Sequence, residues 1–391
     1  MKTPRVLHVI TAINRGGAEN HLFDLVQHQR RAGMRVTVAY LRGSYRDLGV
    51  PAHDLRLRYY GDLKPILKLR RLMLATAPDL VHAHMPPAEL YARLALTGIS
   101  ARRLPLVITK HNEERFYRGP GQKFMGRWVA RRACAVIAIS EAVKRYMIGP
   151  ALSLNPSLLH TIPYGIDARP FAAAAPEAGR ALRRRWGVPN ESLLIGFVGR
   201  LVPQKSVDTL LRGLALLRQR GGADPWLAIV GGGPLEADLR RQARELGVAE
   251  RVVWAGFHDD IPPVMRAFDV FSMTSVYEGF GLVLVEAMAA DLPVVATRAG
   301  SIPEIVVHGE TGMLIEPRDH AALAAAWGRF EDTELRARFG AAGQRRVFET
   351  FTLDRMFHET DKLYARILPA ASVRACAAET VAPECLTSFA L

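Results

Sequence analysis

Two glutamates and a short glycine loop, between residues 275 and 304, have the types and spacing of a ligand site. Seven residues separate Glu278 from Glu286, and Gly279, Phe280 and Gly281 follow the first of them. The next residues, LVLVEAMAA, predict a buried helix, whose first N–H groups can face an anion such as a diphosphate. A carboxylate accepts two hydroxyl groups and suits the vicinal diol of a ribose or hexose. The pattern fits a nucleotide-sugar, but a parallel-sheet helix with two solvated glutamates has the same spacing.

Two cations in another loop could bind the phosphates of such a ligand. Arg200 and Lys205 follow the buried strand LLIGFVG and precede an apolar helix at residues 207–217. Arginine supplies a planar fork of donors and lysine a point charge, so both can converge on a diphosphate. Charged residues in loops are, however, more often only solvated.

The first half of the chain has the elements of a doubly wound α/β sheet. A strand at residues 6–10 is followed by Gly16-Gly17 and a helical pattern at residues 18–32. The loop lacks G-x-G-x-x-G, so a dinucleotide site is weakly supported. Further strands are expected at residues 35–41, 80–84 and 106–109. The last of these leads to His111, at the end of the sheet where such folds bind ligands.

The second half repeats the alternation of strand and helix. Strands are expected at residues 193–199, 226–230, 251–255, 293–297 and 311–316. An Ala- and Arg-rich connector at residues 170–189 marks a boundary, and a length of 391 residues favours two or three domains. We therefore expect two α/β domains.

Composition limits the compartment and the partners. Three scattered cysteines predict a reducing environment, and neither a signal peptide nor a run of ~18 apolar residues is recognisable. We expect a cytoplasmic protein, or a peripheral one on the inner face of the cytoplasmic membrane. The net charge is +14, and residues 1–169 alone carry 27 Lys and Arg against 11 Asp and Glu. This asymmetry predicts an anionic partner: a membrane surface, an acidic substrate or nucleic acid.

Two segments are both basic and apolar. They are LKPILKLRRLML at residues 63–74 and QKFMGRWVARR at residues 122–132. Each pattern is typical of a helix with one core face and one solvated face, and it also fits a patch that binds anionic lipid. His82 and His84 have no third ligand at metal spacing, so no zinc site is predicted.

Several of these motifs together resemble one enzyme family. Glu278 to Glu286, with the sequel PVVAT, Gly300 and Pro303-Glu304, resembles the E-x7-E signature of retaining glycosyltransferase family 4, which has the GT-B fold. Gly199-Arg200-x4-Lys205 resembles the phosphate clamp of that family. Two departures are Tyr164, where Asn is common in the motif at residues 162–167, and Ser206, where Gly is usual.

The resemblance implies a fold and domain limits. It implies two Rossmann-like doubly wound domains facing a cleft, with a C-terminal helix crossing back to the first domain. The expected parts are an acceptor-side domain at 1–169, a nucleotide-sugar-binding domain at 170–352, a returning helix at 353–368 and a disordered tail at 369–391.

The resemblance also implies an activity and a site. The enzyme would transfer a glycosyl group, with retention, from a UDP- or GDP-sugar to a glycan or lipid-linked acceptor in the synthesis of cell-surface polysaccharide or lipid-linked glycan. No metal and no cofactor is expected, and the sequence has no D-x-D motif. The implied catalytic residues are His111, Arg200, Lys205 and Glu278. The implied donor-binding residues are Gly16, Gly17, Arg200, Lys205, Glu278, Gly279, Phe280, Gly281, Leu282, Val283 and Glu286.

Two alternatives remain from the sequence alone. A nucleotide-sugar epimerase or a phosphorylase with the same fold would carry the same motifs. A basic nucleic-acid-binding protein would explain the charge, but no helix-turn-helix, zinc or aromatic RNA-binding pattern supports it.

Overall fold

The protein is described by a computed structural model that covers residues 3–13, 16–43, 47–100, 103–112, 119–150, 152–221 and 224–368. The chain divides into two compact units that interleave. The first unit comprises the described parts of 1–139, 144–162 and the chain from 357, and the second comprises 140–143 and 163–356. The expected tail at 369–391 lies outside the described residues. The domain limits at residues 169 and 352 stay a prediction.

The first unit is built on a parallel sheet in the order β3-β2-β1-β4-β5-β6-β7. Its central strands are buried on both faces, as expected for apolar runs such as RVLHVI. The strands are β1 (Arg5–Ile10), β2 (Arg35–Tyr40), β3 (Ala52–Asp54), β4 (Leu80–His84), β5 (Leu106–Lys110), β6 (Ala135–Ala138) and β7 (Leu159–Thr161). The helices after these strands are α1 (Gly17–Arg31), α2 (Lys64–Thr76), α3 (Pro86–Ala95), α4 (Pro120–Ala130) and, from Lys144 onwards, α5 (Glu141–Ile148).

The second unit is built on a parallel sheet in the order β10-β9-β8-β11-β12-β13. The strands are β8 (Leu194–Val198), β9 (Trp226–Val230), β10 (Val252–Gly256), β11 (Val270–Met273), β12 (Val294–Thr297) and β13 (Gly312–Ile315). The helices are α6 (Arg169–Ala172), α7 (Pro176–Arg185), α8 (Val207–Gln219), α9 (Glu236–Glu245), α10 (Pro262–Ala267), α11 (Leu282–Ala289), α12 (Ile302–Ile305), α13 (His320–Arg329) and α14 (Thr333–Thr350). A last helix, α15 (Leu353–Ile367), begins in this unit and continues in the first.

The last helix, α15, takes part in the first unit from Phe357 onwards. Phe357 stacks on the ring of His28 with 4.1 Å between ring centroids, and His28 Nε2 lies 2.8 Å from Asp361 Oδ2. Tyr364 is 1% exposed and completes the core of this unit. The predicted fold class, two Rossmann-like parallel α/β domains, is confirmed.

The strand order of each sheet reverses beside its first strand. β1 pairs with both β2 and β4, and β8 pairs with both β9 and β11. In doubly wound sheets, loops that leave the carboxyl ends of strands on either side of such a reversal separate and form a ligand crevice. In the second unit these loops follow β8 and β11, and they carry Arg200, Lys205 and Glu278.

Candidate active site

The central contact of the second unit joins the loops after β8 and β11. Lys205 Nζ donates to Oε1 of Glu278, and Ser275 Oγ donates to the same oxygen at 2.7 Å. The Glu278 side chain is 9% exposed and that of Lys205 is 16% exposed. A carboxylate with so little exposure requires an opposite charge and hydrogen-bond donors, which Lys205 and Ser275 supply. The structure therefore brings two of the predicted site residues into direct contact.

Hydrogen bonds that are accepted by main-chain carbonyl groups hold these two loops together. Thr274 Oγ1 donates to the carbonyls of Lys205 and Ser206, at 3.1 and 3.0 Å. The amide of Val276 donates to the carbonyl of Gln204 at 2.8 Å, and Gln204 Nε2 donates to the carbonyl of Tyr277 at 3.0 Å. The position of Lys205 relative to Glu278 is thus fixed by the main chain together with the side chains of Thr274 and Gln204.

Ser206 occupies the position where the resemblance expects glycine. It is left-handed, with φ 46° and ψ 50°, which glycine adopts more readily than serine. Its hydroxyl lies 3.0 Å from Asp208 Oδ1 and 3.0 Å from Thr209 Oγ1. These local bonds explain how serine keeps the backbone shape of a glycine before α8.

The glycine loop at 279–281 is shaped by bonds to its carbonyl groups. Ser140 Oγ donates to the carbonyl of Gly279 at 2.8 Å, and Ser301 Oγ donates to that of Phe280 at 2.8 Å. Gly300 has φ 57°, and a Cβ there would collide with the carbonyl oxygen of Glu278. The loop after β12 therefore packs directly against the loop that carries Glu278.

Phe280 anchors the same loop through its ring. It is 4% exposed, and its ring meets those of Tyr164 and Phe351 edge-on, with centroid distances of 5.4 and 5.7 Å. Tyr164 departs from the family motif, and this contact gives it a packing role. Gly281 then adopts φ 95° as the residue before α11, so the amides of Leu282 and Val283 lie in the first turn of that helix.

Glu286 lies inside α11 and is half-buried. Burial raises the pKa of its carboxyl group from 4.5 to about 7. Among the described residues, no hydrogen bond or ion pair to this carboxyl group is found. A half-buried carboxyl group with a raised pKa and no partner among the described residues is typical of a functional group.

Arg200 differs from Lys205 in its surroundings. Its side chain is exposed at the start of the loop after β8. The main chain beside it is fixed, because the amide of Leu201 donates to the carbonyl of Gly232 at 3.0 Å. The structure therefore positions Arg200 through its backbone and leaves the guanidinium accessible.

In the first unit, the predicted residues lie at the carboxyl ends of β1 and β5. Gly16 is extended and precedes α1, and Gly17 is the first residue of that helix. His111 follows β5, and its Nε2 lies 3.2 Å from Nδ1 of His84. Burial holds the pKa of His111 well below its usual value, so the imidazole is neutral at pH 7.

Behind His111 is a histidine cluster that sequence spacing does not reveal. Ring nitrogens of His8, His82 and His84 lie within 4.8 Å of one another, close enough to hold a metal ion. The expectation that no third histidine accompanies His82 and His84 is wrong, because β1 brings His8 beside β4. His82 has protein partners at both nitrogens, Tyr364 Oη and Thr109 Oγ1, each at 2.6 Å. The absence of a functional metal stays a prediction.

Known proteins match the chain over both halves. Residues 15–169 match the model "Glycosyltransferase Family 4", and residues 180–346 match the model "Glycosyl transferases group 1". A GDP-mannose-dependent α-(1-6)-phosphatidylinositol monomannoside mannosyltransferase from Mycolicibacterium smegmatis is 37% identical over 268 residues, covering 65% of this chain and 69% of that protein. The chain belongs to glycosyltransferase family 4. The predicted family and the predicted class of enzyme are confirmed.

This family 4 glycosyltransferase is also similar to a second curated protein and to a solved structure. A D-inositol 3-phosphate glycosyltransferase from Salinispora arenicola is 36% identical over 233 residues, which is 55% of this chain but only 51% of that protein. The crystal structure of Anabaena HepE in complex with UDP-glucose is 26% identical, with a TM-score of 0.80, and covers 93% of this chain and 99% of HepE. The similarity in fold thus extends over nearly the whole length of HepE.

Proposed function

We propose that this glycosyltransferase moves a hexosyl group, with retention of configuration, from a nucleoside diphosphate sugar to a hydroxyl group of a glycan or lipid-linked acceptor. The observation that carries the proposal is the bonded set of Lys205, Glu278 and Ser275 at the strand reversal of the second unit. A cation, a carboxylate and a glycine loop before a helix supply the groups that a diphosphate and a sugar diol require.

The reaction needs the departing diphosphate to be stabilised. We assign this role to Arg200 and Lys205, with the amides of residues 279–283 as hydrogen-bond donors. Glu278 accepts hydroxyl groups of the sugar, and Glu286 accepts those of the ribose. Because Glu278 already accepts from Lys205 and Ser275, we assign it to positioning and not to covalent attack.

The proposed chemical step occurs on one face of the sugar. The bond from C1 to the diphosphate oxygen breaks, and the acceptor oxygen forms its bond to C1 on the same face. The acceptor proton passes to the departing diphosphate oxygen, so no protein base is needed. In the first unit, we assign Gly16 and Gly17 to the phosphates and His111 to the sugar, in keeping with their places at the strand ends.

The names of the similar proteins support a nucleoside diphosphate sugar as donor, but they differ in the base and in the sugar. The mycobacterial relative is GDP-mannose-dependent, whereas HepE was solved with UDP-glucose. The acceptors differ as well, since one relative acts on a phosphatidylinositol mannoside and the other on D-inositol 3-phosphate. We therefore propose a UDP- or GDP-sugar as donor.

Ligand-induced stabilisation tests the donor class. The protein should be stabilised by either UDP or GDP in thermal unfolding without added metal, since a ligand at 100 times its Kd adds about 2.7 kcal/mol. Glu286→Gln should reduce the shift, because an amide accepts the ribose diol less well than a carboxylate. Lys362→Met, on the exposed face of α15, removes an ordinary surface ion pair and should keep the full shift. Stabilisation by NAD or duplex DNA alone would contradict the assignment.

The rival activities need one further measurement. An epimerase would convert the donor without an acceptor, and a phosphorylase would release a sugar phosphate. Product analysis with and without an acceptor alcohol separates both from the proposed transfer.

We also propose that α2 of the first unit contacts an anionic membrane surface. Leu67 and Leu74 on α2 are 58% and 70% exposed, and Lys64 and Arg71 are exposed beside them on the same helix. An exposed row that mixes leucines with cations suits the interface of an anionic leaflet. None of the described helices has a stretch long and apolar enough to cross a membrane.

The other basic segment, in α4, is largely used inside the unit. Arg127 Nε donates to the carbonyl of Leu152 at 2.8 Å, and Trp128 lies under the guanidinium of Arg93 at 4.1 Å. Phe124 remains exposed. We therefore assign the membrane contact chiefly to α2.

Vesicle flotation tests this surface. The wild-type protein should float with vesicles that contain anionic lipid at low salt, and Leu67→Ser with Leu74→Ser should reduce the bound fraction several-fold, because about 25 cal/mol is lost per Å² of buried apolar surface. Phe348→Ser, an exposed apolar residue of the second unit, is the matched control and should float like the wild type. Equal flotation of all three proteins, or none by the wild type, would exclude α2 as the contact.

A further inference from the structure

A continuous chain of side-chain hydrogen bonds leads through the core of the first unit to His111. Gln29 Oε1 on α1 lies 2.8 Å from His8 Nε2 on β1. His8 Nδ1 lies 3.0 Å from His84 Nε2 on β4, and His84 Nδ1 lies 3.2 Å from His111 Nε2. Gln29, His8 and His84 are each 0% exposed. Each of the two inner histidines thus uses one ring nitrogen towards each neighbour.

The three imidazoles are neutral, so the bonds must all run in one direction. Burial lowers the pKa of His8 to about 4 and holds those of His84 and His111 well below their usual value. A neutral imidazole has one N–H donor and one acceptor nitrogen. A ring that donates to one neighbour must therefore accept from the other. At one end of this chain of bonds, the amide of Gln29 favours one of the two directions.

The amide of Gln29 has a second neighbour that orients it. Its Nε2 points to Tyr364 Oη at 3.5 Å, which leaves Oε1 as the atom that faces His8. Tyr364 Oη in turn lies 2.6 Å from His82 Nδ1. With the amide in this orientation, His8 donates through Nε2, His84 donates through Nε2, and His111 donates through Nε2.

We propose that Gln29, His8 and His84 are positioning residues that hold His111 in the tautomer protonated at Nε2, with Nδ1 as the acceptor for a hydroxyl group of the donor sugar. The second half of this statement rests on the proposed function. A neutral acceptor nitrogen carries partial negative charge, which is favourable beside a sugar ring that becomes positive as the diphosphate departs. The opposite tautomer would present an N–H dipole with the unfavourable sign.

The tautomer can be measured without any substrate. In the full-length protein labelled with 15N-histidine, long-range 1H–15N spectra should show His111 protonated at Nε2, with the signal assigned by its loss in His111→Gln. Gln29→Leu removes the terminal acceptor and should give a mixture of tautomers at His111. Gln29→Glu keeps an acceptor oxygen and should restore the Nε2–H form. A wild-type His111 protonated at Nδ1, or a tautomer unchanged in Gln29→Leu, would overturn the proposal.

A neighbouring glutamine supplies the matched control. Gln27 on the same helix donates to the carbonyl of Leu48 at 2.6 Å and is not in the chain of bonds. Gln27→Leu should leave the His111 spectrum unchanged. If it scrambles the tautomers as Gln29→Leu does, general loosening of the unit explains the effect and the proposal is wrong.

Kinetics with a nucleotide-sugar test the role of Nδ1. Gln29→Leu should lower kcat about tenfold, the effect of one neutral hydrogen bond, with the KM of the acceptor unchanged, and Gln29→Glu should recover most of it. Unchanged kcat together with the expected spectra would reject the sugar contact alone. If the wild type turns over no nucleotide-sugar, the proposed function is wrong. The spectra still decide whether the chain of hydrogen bonds from Gln29 sets the tautomer of His111.

Discussion

Replacing Lys205 by methionine should lower kcat/KM about 100-fold and weaken the binding of the nucleoside diphosphate. Methionine keeps the length and apolar part of the side chain but removes the charge that we assign to the departing diphosphate. The loss of one preorganised electrostatic group costs about 3 kcal/mol in the transition state. Steady-state kinetics and titration with the diphosphate measure the two effects.

The same variant should also be less stable, because Glu278 loses its counter-charge. Removing one partner of a largely buried ion pair costs about 3 kcal/mol, since the remaining charge is left uncompensated. The Lys205→Met, Glu278→Gln double variant should regain most of this stability, as the neutral amide keeps the bond from Ser275. It should regain no activity. This separation shows that lost catalysis does not simply follow lost folding.

Two outcomes would contradict the role of Lys205. One is full activity of Lys205→Met, and the other is recovery of activity in the double variant. Lys362→Met again serves as the control, since its ion pair with Glu359 is half-exposed and is expected to contribute little.

Lowering the pH from 6.5 towards 4 should unfold the first unit before the second. Burial holds the pKa values of His8, His21, His82 and His84 below that of a free imidazole, with His8 at about 4 and His21 at about 3. In this range the unfolded chain binds protons at these positions and the folded unit does not, so the free energy of unfolding falls as the pH falls. Each such histidine contributes up to about 1.4 kcal/mol per pH unit.

The second unit contains a group with the opposite sign. Burial raises the pKa of Glu286 to about 7, so the folded state binds its proton more tightly than the unfolded state does. Its contribution is complete below pH 4.5 and is lost as the pH rises through 7. Lowering the pH therefore destabilises the first unit, where the buried histidines lie. In the second unit it protonates Glu286 and so removes the unfavourable charge of a half-buried carboxylate.

Urea unfolding at pH 7.5, 6.5, 5.5 and 4.5 measures the first effect, and limited proteolysis identifies which unit opens. Cleavage should begin in the first unit at pH 5.5 and should be absent at pH 7.5. A free energy of unfolding that is constant over this range would show that these histidines have the same pKa in the folded and unfolded states.

The sequence was most informative where residues near one another in the chain also act together. The helix at 282–289, the loop before it and the strand after it were all predicted from local pattern, and so was the loop that carries Lys205. The contact of Lys205 with Glu278 could be expected only from the topology, because β8 and β11 are neighbours in the sheet although more than 70 residues apart in the chain.

The sequence was least informative where distant strands place polar groups in the core. The histidine cluster depends on β1 lying beside β4, and periodicity gives no register between strands. The short edge strands β3 and β7 were also missed, since three residues are too few for a recognisable pattern. Gln29 lies within the helix predicted at residues 18–32, and no local signal marks it as the end of a chain of hydrogen bonds.

The contribution of α15 to the first unit has a consequence for biosynthesis. Tyr364 bonds to His82, and Asp361 to His28, so this unit needs residues separated from its sheet by almost the whole second unit. At a synthesis rate of about 5–20 residues per second, the nascent sheet waits about 10–40 s for its last helix. The part of the chain that the ribosome makes first is therefore completed last. A chain that stops near Thr352 would leave the ring nitrogen of His82 without the hydroxyl group of Tyr364. We expect quality-control proteases to degrade such a truncated chain.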